Sequence, residues 1–192
     1  MKVISSQKTY SHYPVMLNQV LKACEVDKGG LFIDCTFGSG GYSNAILSFP
    51  KTRVIGLDRD SYTQQYADVT KKKYKNRFTF YNLKFSNLDK AIDKKIKADS
   101  IIFDLGLSSF QISNLKRGFS FNSNAKPDMR MGLNSISAQE VLNTLDLKTL
   151  SDIFRLFGEE KESFRIASNI IKQRNKKPIT SIPELVSIIK KS

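Results

Sequence analysis

Cysteine and histidine are almost missing from this sequence: Cys24, Cys35 and His12 are the only ones in 192 residues. Two cysteines in apolar surroundings make no disulfide framework and no metal-like spacing, so both read as reduced core residues. His12 lies in a loop before a helix and reads as a structural residue rather than a general base. Long apolar runs are missing too. No stretch approaches the roughly eighteen apolar residues of a membrane span, and Met1 to Met16 has no signal-like apolar region, so the cytoplasm is the expected compartment. No internal repeat is present. Acid is scarce: 18 Asp and Glu stand against 31 Lys and Arg, a net charge of +13. That excess points to a polyanion, RNA or DNA, as partner. An AT-rich genome, rich in Lys, Asn and Ile codons, would produce a similar excess. What is present is an ordinary globular composition, 40% apolar and 26% charged. It is long enough for one domain with an extension, or two small ones, and for a core without disulfides.

Strand-like and helix-like segments alternate over the first two-thirds. Pro14 to Cys24 reads as an amphipathic helix with Val15, Leu17, Val20 and Leu21 on one face. Leu31–Thr36, Arg53–Leu57, Phe78–Asn82 and Ser100–Leu105 read as strands. Gly41–Phe49, Ser61 to about Tyr74 and Leu88–Lys97 read as helices. The alternation predicts βαβ units, a parallel sheet covered on both faces, and chemistry just after Thr36, Leu57 and Phe103, where strands end. Ser108 to Asn134 has no clear period and reads as a long ordered loop. From Ser137 the pattern is helical. Ser137–Glu140 and Ser181–Glu184 fit capping boxes, Gly158 fits a helix stop, and Phe164–Ile171 has helical apolar spacing. The expected division is 1–107 as a cofactor-binding domain, 108–136 as an active-site loop and 137–192 as a helical domain.

The sharpest local motif is Asp34-Cys35-Thr36-Phe37-Gly38-Ser39-Gly40-Gly41, which follows a strand and opens a helix. Glycines there allow positive φ and close approach of the backbone to a ligand. A dinucleotide fingerprint needs Gly or Ala at the sixth position, which is Ser43, so an NAD-dependent oxidoreductase is disfavoured. Asp58 ends the second strand twenty residues past Gly38. A carboxylate there can accept from both ribose hydroxyls of a nucleoside cofactor, S-adenosylmethionine included. The alternative is that the glycines only form a tight turn and Asp58 caps a helix. Asp104 ends the fourth strand and could position a cofactor, polarise a substrate amine, or simply order its loop. The lysine-rich segments 71–77 and 172–177 face solvent, with RNA phosphate as a candidate ligand for either.

Several blocks occur in order along the chain: His12-Tyr13-Pro14-Val15-Met16-Leu17, Asp34 to Tyr42, Leu57-Asp58-Arg59-Asp60, Phe85-Ser86-Asn87-Leu88 and Phe103 to Gln111. Arg117-Gly118-Phe119-Ser120-Phe121, Pro127-Asp128-Met129-Arg130-Met131 and Gly158-Glu159-Glu160 follow. Together they resemble the RsmH (MraW) family of 16S ribosomal RNA cytosine-N4 methyltransferases. The resemblance implies an α/β fold: a class I, Rossmann-like methyltransferase sheet with an inserted helical domain. It implies S-adenosylmethionine as cofactor. The implied substrate is a cytidine in the decoding centre of 16S rRNA in the small ribosomal subunit. It carries cofactor contacts to Gly40, Gly41, Tyr42, Asp58, Phe85, Asp104 and Gln111. Asp104, from its place after the fourth strand, is the candidate catalytic residue, as acceptor or positioner of the N4 amine. No metal is implied.

Tyr42 stands where many members have His, Phe110 where Pro is usual, and Ala125-Lys126-Pro127 where Gly-Pro-Leu is usual. The DPPY-type signature of many amino-methyltransferases is absent, its place taken by Asp104-Leu105-Gly106-Leu107. Members continue into H-P-A-T-R-T-F-Q and S-F-H-S-L-E-D blocks, which this sequence does not contain. The chain therefore reads as a fragment with an incomplete sheet, its fourth strand presenting an open apolar edge, and is expected to be inactive alone. An RNA-binding module that keeps the fold without turnover is the alternative function. The sequence leaves the oligomeric state open, a homodimer included.

Overall fold

The computed structural model describes residues 14–93 and 95–192, so His12 and Tyr13 of the first block lie outside the described residues. Two compact units divide between Gly106 and Leu107.

The first unit holds four parallel strands: β1 (Gly30–Asp34), β2 (Thr52–Asp58), β3 (Phe78–Asn82) and β4 (Ser100–Ile102), in the order β3-β2-β1-β4. Its helices are α1 (Leu17–Ala23), α2 (Gly41–Leu47), α3 (Gln64–Tyr74) and α4 (Leu88–Ala91). The registers Phe32↔Val54 and Val54↔Phe78 line these side chains across one face. There they pack with Ile46, Leu47 and Ala67 of α2 and α3. Ile33, Cys35 and Leu57 point to the other face, against Leu83, Leu88 and Ile92. Alternate residues of each strand thus feed two cores, as a parallel sheet covered on both faces requires. Both cysteines are free thiols, Cys35 buried and Cys24 partly so. Among the described residues β4 pairs only with β1. Its Ile101 is 48% exposed, and the apolar side chains beyond it, Phe103 and Leu105, are exposed as well.

Several boundaries differ from the sequence expectation. The first helix starts at Leu17, not Pro14, because Met16 adopts a left-handed backbone (φ 53°), and Val15 is exposed rather than on the buried face. The expected helix 88–97 ends at Ala91: Ile92 is extended, and Asp93 turns the chain by accepting from the Lys95 amide (2.9 Å). The fourth strand ends at Ile102, three residues early, where Asp104 bonds to a side chain instead of a strand partner.

The second unit contains α5 (Ser109–Ser113), α6 (Ala138–Thr144), α7 (Leu147–Gly158), α8 (Ser163–Arg174) and α9 (Ile182–Lys190). Helix α5 and a 3₁₀ turn at Leu115–Arg117 lie within the segment expected to be a loop. Its first turn is closed by Gln111, whose Oε1 accepts from Ser108 N (2.9 Å), one half of a capping box. The boxes at Ser137/Glu140 and Ser181/Glu184 are present, and the core of Leu142, Leu150, Ile166, Ala167, Ile170 and Ile179 joins α6 to α9. Gly158 is the last residue of α7 rather than its stop; Glu159 takes the left-handed position. The irregular segment is tied down by its backbone: Met129 N donates to Arg117 O, Gln139 N to Pro127 O and Ile182 N to Ala125 O. Among the described residues no helix is long and apolar enough to cross a membrane.

Candidate cofactor site

Strand order reverses beside β1, since β2 and β3 lie on one side and β4 on the other. In such sheets the crevice at the reversal, beyond the carboxyl ends of the strands, is where ligands sit. The turn after β1 forms its floor. Phe37 N donates to Leu57 O (2.9 Å) and Gly40 N to Phe37 O (2.7 Å). The buried Phe37 ring packs 5.4 Å from Phe78 and 5.2 Å from Phe80. The turn is thereby anchored to β2 and β3.

Gly40 has a φ of +85°, and a Cβ there would lie 2.8 Å from the Phe37 ring, so both backbone and space require glycine. At Gly41 the reason is steric alone: a Cβ would meet Pro14 Cγ at 2.4 Å. One residue on, the Tyr42 hydroxyl donates to Val15 O (2.5 Å). The Pro14-Val15 segment therefore seats directly on the glycine turn.

Three acids stand around this turn. Asp34, wholly buried at the end of β1, accepts from Ser43 Oγ (2.7 Å) and from Thr36 N (3.3 Å). Burial pushes its pKa up to about 6, against the opposing pull of these bonds and of the Ser43 amide. The amino end of α2 is thus met by an internal carboxylate. Asp58 ends β2 with its two oxygens divided: Oδ2 accepts from Gly38 N (2.7 Å) and Oδ1 from Asp60 N (2.8 Å). Burial raises its pKa too, and the Asp60 and Gly38 amides restrain the rise. A carboxylate has about four acceptor positions, so roughly two remain for a ligand. Asp104 is exposed, and its amide donates to Thr36 Oγ1 (2.8 Å), which ties the exit of β4 to the turn after β1. The Tyr42 phenol is raised by burial first, then by the charges of Asp104 and Asp34. It lies within electrostatic reach of both.

Phe85 follows β3 in a short 3₁₀ turn, 44% exposed, with its ring edge-on to Phe103 at 5.4 Å. The pair forms an exposed aromatic corner on which a base could stack. Gly40, Gly41, Tyr42, Asp58, Phe85 and Asp104 all belong to the first unit, around the ends of its strands. Gln111 belongs to the second, where its Oε1 accepts from Ser108 N (2.9 Å). Asp34, Thr36, Phe103 and Pro14 stand within the motifs of the sequence, yet sequence reasoning gave none of them a role. A strand ending in Asp before a glycine turn was a usable signal for Asp34. Nothing local marks the contact of Pro14 with Gly41. Among the described residues no His, Cys, Asp and Glu group is placed to hold a metal.

The sequence matches the MraW methylase family over residues 9–192. Among curated relatives, the ribosomal RNA small subunit methyltransferase H of Orientia tsutsugamushi (strain Boryong) is 40% identical over 181 residues, covering 94% of this chain and 58% of its own length. The protein of the same name from Rickettsia canadensis (strain McKiel) is 41% identical over 182 residues, covering 95% of this chain and 59% of its own. The chain thus spans under two-thirds of the length of these relatives. A solved rRNA methylase from Streptococcus thermophilus aligns at 15% identity with a TM-score of 0.37, covering 45% of this chain and 54% of that one.

Proposed function

The chain belongs to the MraW methylase family, and from that premise we propose that it is the S-adenosylmethionine-binding part of a small-subunit ribosomal RNA methyltransferase. The methyl goes to the exocyclic N4 of a cytidine in the decoding centre of 16S rRNA, and the compartment is the cytoplasm, where ribosomal subunits lie.

The acid-lined glycine turn is the observation that carries the reading. In a dinucleotide fold the helix amino end stays free for pyrophosphate. Here Asp34 occupies the amino end of α2, and Asp58 takes the Gly38 amide at 2.7 Å. An anionic pyrophosphate would meet carboxylates, whereas S-adenosylmethionine brings a sulfonium and an ammonium. The remaining acceptor positions of Asp58 suit a ribose diol, the Phe85–Phe103 corner suits adenine, and Gly40, Gly41 and Tyr42 suit the methionine end. Gln111 is assigned to the cofactor by family resemblance.

S-adenosylmethionine supplies an electrophilic methyl group on sulfur. Cytosine N4 is a poor nucleophile because its lone pair is delocalised into the ring. The chain's task is to hold the amine in line and to accept a hydrogen bond from N4–H as charge develops. Asp104 is the acceptor in this reading: exposed, at the crevice, and fixed through its amide to Thr36.

Calorimetric titration with S-adenosylmethionine and with NAD tests the cofactor. Binding of the first and not the second is expected; a folded chain that prefers NAD overturns the proposal. Transfer of labelled methyl to small subunits lacking the modification, assayed with the full-length protein, tests the acceptor.

A further inference from the structure

The net positive charge of the second unit falls in the segment that holds its last two helices. Residues 107–162 carry seven basic and seven acidic side chains, while residues 163–192 carry seven basic ones and Glu184 alone. Between α8 and α9 lies a cleft of about 450 Å³ lined by Lys172, Lys176 and Lys191, with Asn169, Gln173 and Ser187 among its polar walls. All three lysines are exposed. Among the described residues none of the three is ion-paired.

Glu184 also lines the cleft, and its charge is already engaged. Its Oε2 accepts from the amides of Thr180 (2.8 Å) and Ser181 (3.1 Å), and its Oε1 lies 3.6 Å from Lys177 Nζ. The acid thus offsets Lys177 and caps α9, leaving the three lining lysines without an opposing charge. Compact ammonium groups around a cleft with amide and hydroxyl walls are suited to phosphate oxygens and ribose hydroxyls.

We propose that the α8–α9 cleft docks the phosphate backbone of the RNA substrate, an inference that rests on ribosomal RNA being the partner. Lys172 in the last turn of α8, Lys176 just past its end and Lys191 at the end of α9 contact successive phosphates. Base identity is not read there. The contact positions the RNA, and its strength falls with salt.

The test is fluorescence anisotropy of a labelled single-stranded small-subunit rRNA segment with the full chain, over a series of salt concentrations. Each phosphate contact on a single strand contributes about 0.7 to the slope of log affinity against log salt. The K172Q/K176Q/K191Q variant should lose about 2 from that slope, and K172R/K176R/K191R should keep it. K71Q/K72Q/K73Q, which removes as much charge from α3, should change it far less. Equal losses in both glutamine triples would mean a diffuse charge effect and overturn the site. So would a wild-type chain that binds no RNA. A triple that loses binding to phosphatidylserine vesicles but keeps the RNA slope would make the cleft a lipid surface and equally overturn it. S-adenosylmethionine affinity, measured on the same samples, keeps the two readings apart. Its absence with an intact RNA effect would sink the cofactor assignment and leave the cleft standing.

Discussion

Replacing Asp34 with Asn should stabilise the chain at neutral pH, by an amount set by how deeply the carboxyl is buried. The Asp34 pKa is about 6 in the folded chain, against an ordinary 3.8. A native pKa above the unfolded one means that the native state binds more protons between the two values. Stability therefore falls as pH rises from about 4 to about 6, and the penalty is complete above that. Roughly two pKa units at 1.36 kcal/mol each give a ceiling of about 3 kcal/mol. Asn is the suitable probe because its oxygen can still accept from Thr36 N, while its amide donates to Ser43 Oγ. Urea denaturation followed by circular dichroism, on both chains at a series of pH values, isolates the effect as a difference. The shifted carboxylates away from the turn, Asp128, Glu140, Asp146 and Glu184, all lowered, cancel in it, while Asp58, whose charge acts on Asp34, adds a smaller change of the same sign. The variant should gain on the wild type through the window from about 4 to 6, then hold a constant lead. A difference that stays flat across that window, or an Asn chain that is the weaker one at pH 7, would show that Asp34 is not held against its charge.

Asp58→Ala should weaken S-adenosylmethionine at least tenfold by calorimetry, through charge-assisted hydrogen bonds of about 1.5–3 kcal/mol each. Unchanged affinity would remove Asp58 from the site. Asp104→Asn, in the full-length protein, should lower methyl transfer more than cofactor affinity; equal losses would make it a binding residue only. Gly41→Ala should lower stability by about 1–3 kcal/mol by pressing on Pro14. Pro14→Ala removes the Cγ that the new methyl would meet at 2.4 Å. The double variant should then recover much of the loss, and thermal melts of the four chains complete the cycle. Additive losses would mean that the two residues do not touch.

The strands were legible because apolar runs such as Leu31–Ile33 and Val54–Leu57 sit between polar and glycine punctuation, and burial on both sheet faces leaves little else for them to be. Asp58 was legible as the last residue of its strand for the same reason, whereas Asp104 lies two residues past the end of β4 and is placed by its bond to Thr36. Element ends were less so. Val15 fits a helical face, yet the left-handed turn at Met16 is a backbone event with no signature in a methionine. Helix α5 was within reach, because Ser108-Ser109-Phe110-Gln111 is a capping box as plain as the two recognised further on. Its irregular surroundings hid it. Contacts between distant residues were out of reach. That Gly41 must lack a side chain for the sake of Pro14, and that Asp34 turns to Ser43, are facts of tertiary packing that no spacing rule encodes.

The bond from the Asp104 amide to Thr36 Oγ1 has a consequence for how such a site can change over evolutionary time. The glycine turn and the end of β4 come from strands that are neighbours in space but sixty-eight residues apart in sequence; the ladder between them closes with Cys35 N donating to Ile102 O (2.9 Å), and the Thr36 hydroxyl carries the tie two residues further, to Asp104. Residue 36 therefore acts as a set-screw. Ser there would keep the bond and loosen the grip; Val would keep the shape and release Asp104. Either change alters how Asp104 is held while Gly40, Asp58 and Asp104 themselves stay intact. How firmly Asp104 is held is thus set at a residue outside the glycines and acids of the crevice.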